Sequence, residues 1–265
     1  MRSIVIIRGG GDIATGVIQK FQRSGFKVLV LETEKPTAIR RTVALCEAVY
    51  SGHTKVEDIS CKRIMSLSEL DRCFDKAEVP ILVNPNADCI AQLNPDAVID
   101  AILAKRNLGT HKKMAPVTIG IGPGFSVPED VSAVIETKRG HELGRLILKG
   151  SARENTGIPG EIGGKSIERV IRAPLAGEIK HICEIGDIVE AGEALCKISG
   201  ELIIAPFKGL LRGLIREGLQ VSEGMKIADI DPRLDVDWRT ISDKARCIGG
   251  AALEAFLYLR TKTEE

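Results

Sequence analysis

A stretch of 26 residues toward the C-terminal end of the chain occurs twice, and this repeat constrains the fold more than any other feature. The first copy runs from Ala173 to Ile198 and the second from Ala205 to Ile230. Ala173, Pro174, Gly177, Gly186, Val189, Gly192 and Ile198 return 32 residues later as Ala205, Pro206, Gly209, Gly218, Val221, Gly224 and Ile230. Repetition at a fixed offset means that one supersecondary unit is used twice. Glycine stands where a backbone turns or approaches closely. Each copy therefore predicts short strands separated by turns, and two such halves facing each other predict a small flattened β-barrel.

The pattern AP..G.I......GD.V.AGE.L..I followed by AP..G resembles the biotinyl/lipoyl barrel-sandwich fold over about 60 residues. In carrier members of that family, a hairpin between the halves presents a modified lysine. Here the joining stretch, Ser199 to Ile204, contains none. Lys197 precedes it inside an alternating strand and Lys208 follows the second Ala-Pro. The expectation is a barrel with no biotin or lipoate attachment.

The remaining 170 or so residues upstream are enough for a second domain. Net charge is +1 and aromatic residues make up 3%, which leaves neither a basic footprint nor stacking platforms for nucleic acid. No run of about 18 apolar residues suggests a membrane span. Met1-Arg2-Ser3-Ile4 enters a strand without a leader's cleavage pattern. The seven cysteines are odd in number and form no CxxC, which fits reduced thiols. A cytoplasmic location is expected. The four widely spaced histidines give no zinc pattern, and no metal site is expected.

The N-terminal half opens as strand, helix, strand. Ser3 to Arg8 is an apolar run ending in Gly9-Gly10-Gly11-Asp12. Ile13, Val17, Ile18 and Phe21 then share one helical face, and Lys27 to Leu31 forms a second strand closed by Glu32. Gly9-x-Gly11-x-x-Ala14 matches the alanine-ended dinucleotide fingerprint, with Glu32 placed for a ribose hydroxyl. Tight βα turns also favour glycine without any ligand, and Asp12 opposes a phosphate. Two further strands lead to Asn84-Pro85-Asn86 and Gly122-Pro123-Gly124, so three loops converge on a candidate crevice, unless these are only turn residues.

Asn94 to Arg106 reads as a helix, with Asn94 as cap and Pro95 at its first position. Val131 to Thr137 and Leu143 to Lys149 read as an antiparallel edge pair. Asn155 to Gly164, with four glycines, reads as a boundary. Ile241 to Leu259 reads as an amphipathic helix that needs a partner surface. Its Gly249-Gly250 pair implies a close contact or a break. The expected architecture is α/β: a Rossmann-like, mostly parallel domain over 1–165, a barrel-sandwich domain over 166–232, and a helical tail over 233–265 packed on the first domain.

The order of motifs RGGGDIATGVI, LETEKPTAIRRTVALCEAVYSG, GIGPGF, HELGRLI, NTGIPG, the repeat and SDKARCIGGAALEA resembles the YqeB-type accessory proteins of selenium-dependent molybdenum hydroxylases, essentially from end to end. The resemblance implies a role in maturing a molybdenum hydroxylase client. A nucleotide or a molybdopterin-type cofactor, each a phosphorylated small molecule, is the implied ligand class, and no reaction is implied. The matching residues are Gly9, Gly10, Gly11 and Asp12, then Arg40 and Arg41, then Gly120, Gly122 and Gly124. Arg40 and Arg41 suit bidentate phosphate recognition, although a solvated pair is the commoner use of such residues.

Cys46, downstream of these arginines, is a weak candidate for a reactive thiolate, since its apolar neighbours favour a buried thiol. Two other readings stand beside maturation. One is an NAD(P)-dependent oxidoreductase, for which the crevice loops offer no proton donor nearer than Tyr50 or His53. The other is a non-catalytic adaptor that uses its barrel to bind protein. A homo-oligomer is compatible with all three.

Overall fold

The computed structural model describes residues 4–158 and 160–263, so Ser3 of the first expected strand and Pro159 of the glycine-rich stretch lie outside the described residues. The chain divides into two compact units. One comprises residues 1–36, 44–155 and 241–265, and the other comprises residues 37–43 and 156–240. Among the described residues, no helix is long and apolar enough to cross a membrane.

The first unit runs β1 (Ile4–Arg8), α1 (Asp12–Arg23), β2 (Lys27–Glu32), α2 (Ala48–Ser51), β3 (His53–Val56), β4 (Ile59–Ile64), α3 (Leu70–Asp75), β5 (Val79–Val83), α4 (Ile90–Leu93), β6 (Ala97–Asp100), β7 (Val117–Ile121), β8 (Ser126–Val127), β9 (Ala133–Ile135), β10 (Leu146–Ile147) and β11 (Gly150–Ser151). Nine of these strands form one sheet in the order β10-β9-β7-β6-β1-β2-β5-β4-β3. The inner strands pair in parallel, while β3–β4 and β9–β10 pair antiparallel at the two edges. Strands such as Val117–Ile121 are buried along their whole length, as a parallel sheet covered on both faces requires.

This corrects the expected Rossmann-like domain. A Rossmann sheet grows outward in chain order from its first strand to the second and third. Here β5 lies between β2 and β4, both edges are antiparallel, and coil rather than helix carries the chain from β6 to β7. The helix expected over Asn94 to Arg106 is also corrected. Asn94 has φ 43° and ends α4 rather than starting a helix, and the apolar run that follows is the fully buried strand β6. Ala97, Val98 and Ile99 are apolar on both sides because both of their faces are covered.

One helix from the end of the chain, α5 (Asp243–Thr263), completes this unit. It crosses α1 closely. A Cβ on Gly16 would stand 2.3 Å from the carbonyl oxygen of Ala245, and one on Gly249 would stand 2.3 Å from that of Gly16. The glycine pair inside α5 therefore marks a contact and not a break. Phe256 then wedges against Phe21 and Phe26, with ring centroids 5.6 and 5.1 Å away. Covered on this side as well, α1 buries Thr15, Gly16 and Gln19 in addition to its Ile13, Val17, Ile18 and Phe21 face.

The second unit contains β12 (Val170–Arg172), β13 (Gly177–His181), β14 (Ile188–Val189), β15 (Ala194–Ile198), β16 (Glu201–Ile204), β17 (Gly209–Leu214), β18 (Gln220–Val221) and β19 (Lys226–Asp231). They form two antiparallel sheets, β12-β19-β17-β14 and β16-β15-β13-β18. Replacing every strand by the one 32 residues away in the chain, with β12 and β16 just ahead of the two copies, converts one order into the other. Each sheet thus takes strands from both copies. The core repeats as well, since Ile179, Val189, Leu195 and Ile198 are buried with their equivalents Leu211, Val221, Ile227 and Ile230. The expected single closed barrel-sandwich is corrected to two four-stranded sheets, whose edge strands pair with no further strand among the described residues.

Candidate functional site

The parallel strands β1, β2, β5, β6, β7 and β9 bring their carboxyl ends to one edge of the first unit. In open α/β sheets, ligands bind outside this edge. Its floor is locked by a buried polar cluster. The Arg8 guanidinium lies 3.6 Å from the Asp100 carboxylate, and both are almost wholly buried. The Thr110 hydroxyl accepts from Arg8 and donates to Asp100 at 2.5 Å. Arg8 also donates to the carbonyls of Pro85 and Leu108, each at 3.1 Å, so a single side chain fixes two crevice loops. Burial raises the Asp100 carboxyl above its ordinary range, against the pull of Thr110, the Ile102 N–H and Arg8.

The glycine loop between β1 and α1 is largely filled by the chain itself. A Cβ on Gly9 would meet the backbone of Ala101 and Ile102 at 3.0 Å, and one on Gly10 would meet the Cys46 nitrogen at 3.0 Å. The Gly10 N–H donates to Glu32 at 2.8 Å, while the Gly10 carbonyl accepts from the Cys46 N–H at 2.8 Å. Glu32 also accepts from the Thr33 N–H at 2.8 Å. Its carboxyl is pushed up by burial and pulled down by these two N–H donors. Glu32 is therefore engaged by the loop rather than presented to a ribose. Gly11 is different: the space its Cβ would occupy is open, and it starts α1 with no side-chain cap.

Several of the other expected contacts are taken up by the chain itself. The Gly122 N–H donates to the Ile135 carbonyl at 2.8 Å, and Gly124 packs on the backbone of Arg106. The Asn84 N–H donates to the Glu32 carbonyl at 3.0 Å, and its side-chain oxygen is buried without a hydrogen-bond partner. Asn86 is exposed. Arg40 and Arg41 belong to the other unit, where they donate to the main-chain carbonyls of Thr240 at 3.4 Å and Leu214 at 2.7 Å. The Cys46 thiol is buried, and burial, followed by the charges of Glu32, Glu47 and Asp12, raises its pKa well above the ordinary thiol value. Burial of this kind disfavours the thiolate, which is the reactive form.

What gathers beside the open end of α1 is a set of charges from two other elements. Lys244, in the first turn of α5, is half-buried. Burial, then the nearby Arg139, holds its ammonium below the usual lysine range, while Asp12, Glu136 and Asp243 oppose the shift. Arg139 forms a forked pair with Asp243 at 2.9 and 3.1 Å. Glu136, at the end of β9, accepts from the N–H groups of Thr137, Lys138 and Arg153 at 2.7 to 2.8 Å. Sequence reasoning missed Lys244 and Arg139. A legible signal was present: a lysine in the first turn of a helix opposes the macrodipole, so that position needs another reason.

The start of α1 has no side-chain cap and the Gly11 position is open; these features and the Lys244 ammonium favour an anion, while the nearby Asp12, Glu136 and Asp243 carboxylates oppose one. Among the described residues, no group of three or more His, Cys, Asp or Glu side chains gathers where a metal could be held.

No family model matches the chain. Over 257 residues it is 48% identical to a curated Escherichia coli (strain K12) protein described as "Uncharacterized protein YqeB". That match covers 97% of the chain, which spans about half the length (48%) of the relative. Solved structures with some likeness include an aspartoacylase family protein from Mesorhizobium loti, 13% identical, covering 86% of this chain and 84% of that one, with a TM-score of 0.26. A succinylglutamate desuccinylase from Silicibacter is 10% identical, covers 86% and 84%, and has a TM-score of 0.25. Superpositions this loose carry no argument about the chemistry of this chain.

Proposed function

We propose that this chain, YqeB-type over the 257 residues shared with that relative, is a cytoplasmic accessory protein that serves the maturation of a selenium-dependent molybdenum hydroxylase. It does so by binding a phosphate-bearing small molecule, a nucleotide or a molybdopterin-type cofactor, at the carboxyl edge of the nine-stranded sheet. One observation carries the ligand class: the uncapped start of α1 at Gly11, with open space at that position, beside the half-buried Lys244. The N–H groups and macrodipole of α1 favour negative charge there, and Lys244 adds a cation whose desolvation an anion would offset. The hydroxylase link rests on the run of motifs from RGGGDIATGVI to SDKARCIGGAALEA.

Purification from host cells followed by native mass spectrometry identifies any bound molecule. Thermal-shift titration with pyrophosphate and the four ribonucleoside triphosphates then measures affinity for the class. Gly11→Glu places a carboxylate in open space at a backbone φ of −68°, so the variant keeps its fold while losing at least tenfold in affinity. Unchanged binding in Gly11→Glu, or no ligand response in the unaltered chain, overturns the reading.

The pH dependence has a definite sign. Because the Lys244 pKa lies below its unfolded value of 10.5, the ammonium is lost at a lower pH than in an ordinary lysine. Anion affinity should fall as pH rises through that lowered value, before 10.5 is reached. Lys244→Gln should flatten the fall.

A further inference from the structure

A cleft in the second unit is lined by apolar side chains, an indole and carboxylates together. Its volume is about 310 Å³, and its lining includes Ile188, Leu210, Leu234, Asp235, Trp238 and Arg239. That is at the small end of the roughly 300–1,000 Å³ found for ligand sites, which suits one or two side chains better than a large cofactor. Ile188 and Leu234 are 53% and 44% exposed there, although both are large and apolar. Exposed apolar surface gathered in a concavity marks an interaction site more often than scattered single residues do.

The wall is preorganised. The Trp238 indole lies against Gly186, where a Cβ would come within 2.6 Å of the ring. Its carbonyl accepts from the Thr42 hydroxyl at 3.2 Å. The Asp237 carboxylate accepts from the Arg239 N–H at 3.0 Å, and the Asp237 carbonyl accepts from the Thr240 hydroxyl at 2.9 Å, so the turn carrying the indole is tied on both sides. The Arg239 guanidinium sits 5.5 Å from the indole centroid and pairs with Asp237 at 3.1 Å, which leaves that arginine's charge matched within the cleft. A wall already fixed in place loses little entropy when it is covered.

The electrostatics select the occupant. Asp235 lines the cleft, and Asp187 stands in the chain between the lining residues Gly186 and Ile188; both are exposed. With Arg239 matched to Asp237, the surround keeps a net negative charge. Such a surround repels an acidic partner and favours a basic one.

We propose that this cleft docks a basic segment of a partner protein, which inserts an apolar side chain against Trp238, Ile188 and Leu234 while flanking Lys or Arg side chains meet Asp235 and Asp187. The inference does not rest on the ligand reading of the first unit and can stand or fall alone.

The chain has a single tryptophan, so its fluorescence reports this cleft directly. The probe is the peptide acetyl-Lys-Leu-Lys-Leu-Lys-amide, titrated into the full chain. The expected result is a saturable change in Trp238 emission that weakens as salt is raised. Asp235→Asn should weaken binding severalfold, and Ile188→Ser, at an exposed position, about tenfold with an unchanged circular dichroism spectrum. Four results overturn the proposal. In the first, the Glu-substituted peptide binds equally well. In the second, octylammonium binds as tightly as the peptide, which makes the cleft a site for small amphiphiles. In the third, the emission changes with protein concentration alone, which makes a second copy of the chain the occupant. In the fourth, millimolar peptide produces no change.

Discussion

Glycine serves two opposite purposes in this molecule, and positions from each of the two units show the contrast. In the first unit, Gly10, Gly16 and Gly249 sit where a neighbouring backbone or side chain occupies the place of a Cβ. In the second, Gly192 and Gly224 have φ of 83° and 76° with nothing near the Cβ position, so they are kept for the shape of a turn. A turn glycine obeys a local rule, and the rule repeats when the sequence repeats. A contact glycine obeys a rule set by a distant segment. Its sequence neighbourhood does not reveal whether the thing that approaches is a ligand or the chain.

The comparison breaks first, and most visibly, at the crossing of α1 and α5. Helix propensity alone makes Gly→Ala favourable by about 1 kcal/mol inside a helix. At Gly249 a Cβ would meet the Gly16 carbonyl at 2.3 Å, whereas at Gly250 it would meet nothing within 4 Å. Gly249→Ala should therefore lose about 3 kcal/mol, at the top of the range for overpacking. Gly250→Ala, one residue away, should gain up to about 1 kcal/mol. Urea unfolding of the two variants decides it. Equal effects would mean that the helices do not cross at Gly16.

A smaller contrast separates the two halves of the glycine loop. Gly10→Ala must displace the Cys46 backbone by a few tenths of an ångström and strain the bond to Glu32, at a cost of about 2 kcal/mol. Gly11→Ala enters open space and loses only the advantage of glycine as a helix cap, under about 1 kcal/mol. If Gly11→Ala proves the costlier in thermal unfolding, the loop is arranged differently and the open anion position is lost with it.

These contrasts mark how far the sequence could be read. That each copy of the repeat holds short strands separated by turns was legible because turn chemistry is local, and positions such as Val189 and Val221 name the same core site twice. What was not legible was how strands associate. The insertion of β5 between β2 and β4 and the pairing of strands from both repeat copies are decisions of tertiary packing. Asn94 shows the same limit on a smaller scale: its side chain suits the start of a helix or a left-handed end, and the buried run after it settled the matter. At the candidate site, the glycines were visible but their partners were not. Glu32 was read as a ribose contact, yet it serves the Gly10 N–H. Lys244 comes from a helix more than 200 residues away in sequence, which periodicity cannot connect to Gly11.

The smallest expected effect tests the turn half of the comparison. Gly192 and Gly224 are equivalent by the repeat, and each adopts a left-handed backbone beside open space. Alanine at either position pays only the left-handed penalty, about 1 kcal/mol, with no packing term. Gly192→Ala and Gly224→Ala should therefore cost the same within error. Because the Gly192 and Gly224 N–H groups donate to different carbonyls, those of Ala205 and Ala173, the double variant should cost their sum, about 2 kcal/mol. The measurement is the urea midpoint of each single variant and of the double. Unequal single costs would show that one copy has taken on a packing or binding duty the other lacks. A double cost well below the sum would show that the two sheets, which exchange strands between copies, loosen together once the first turn is strained.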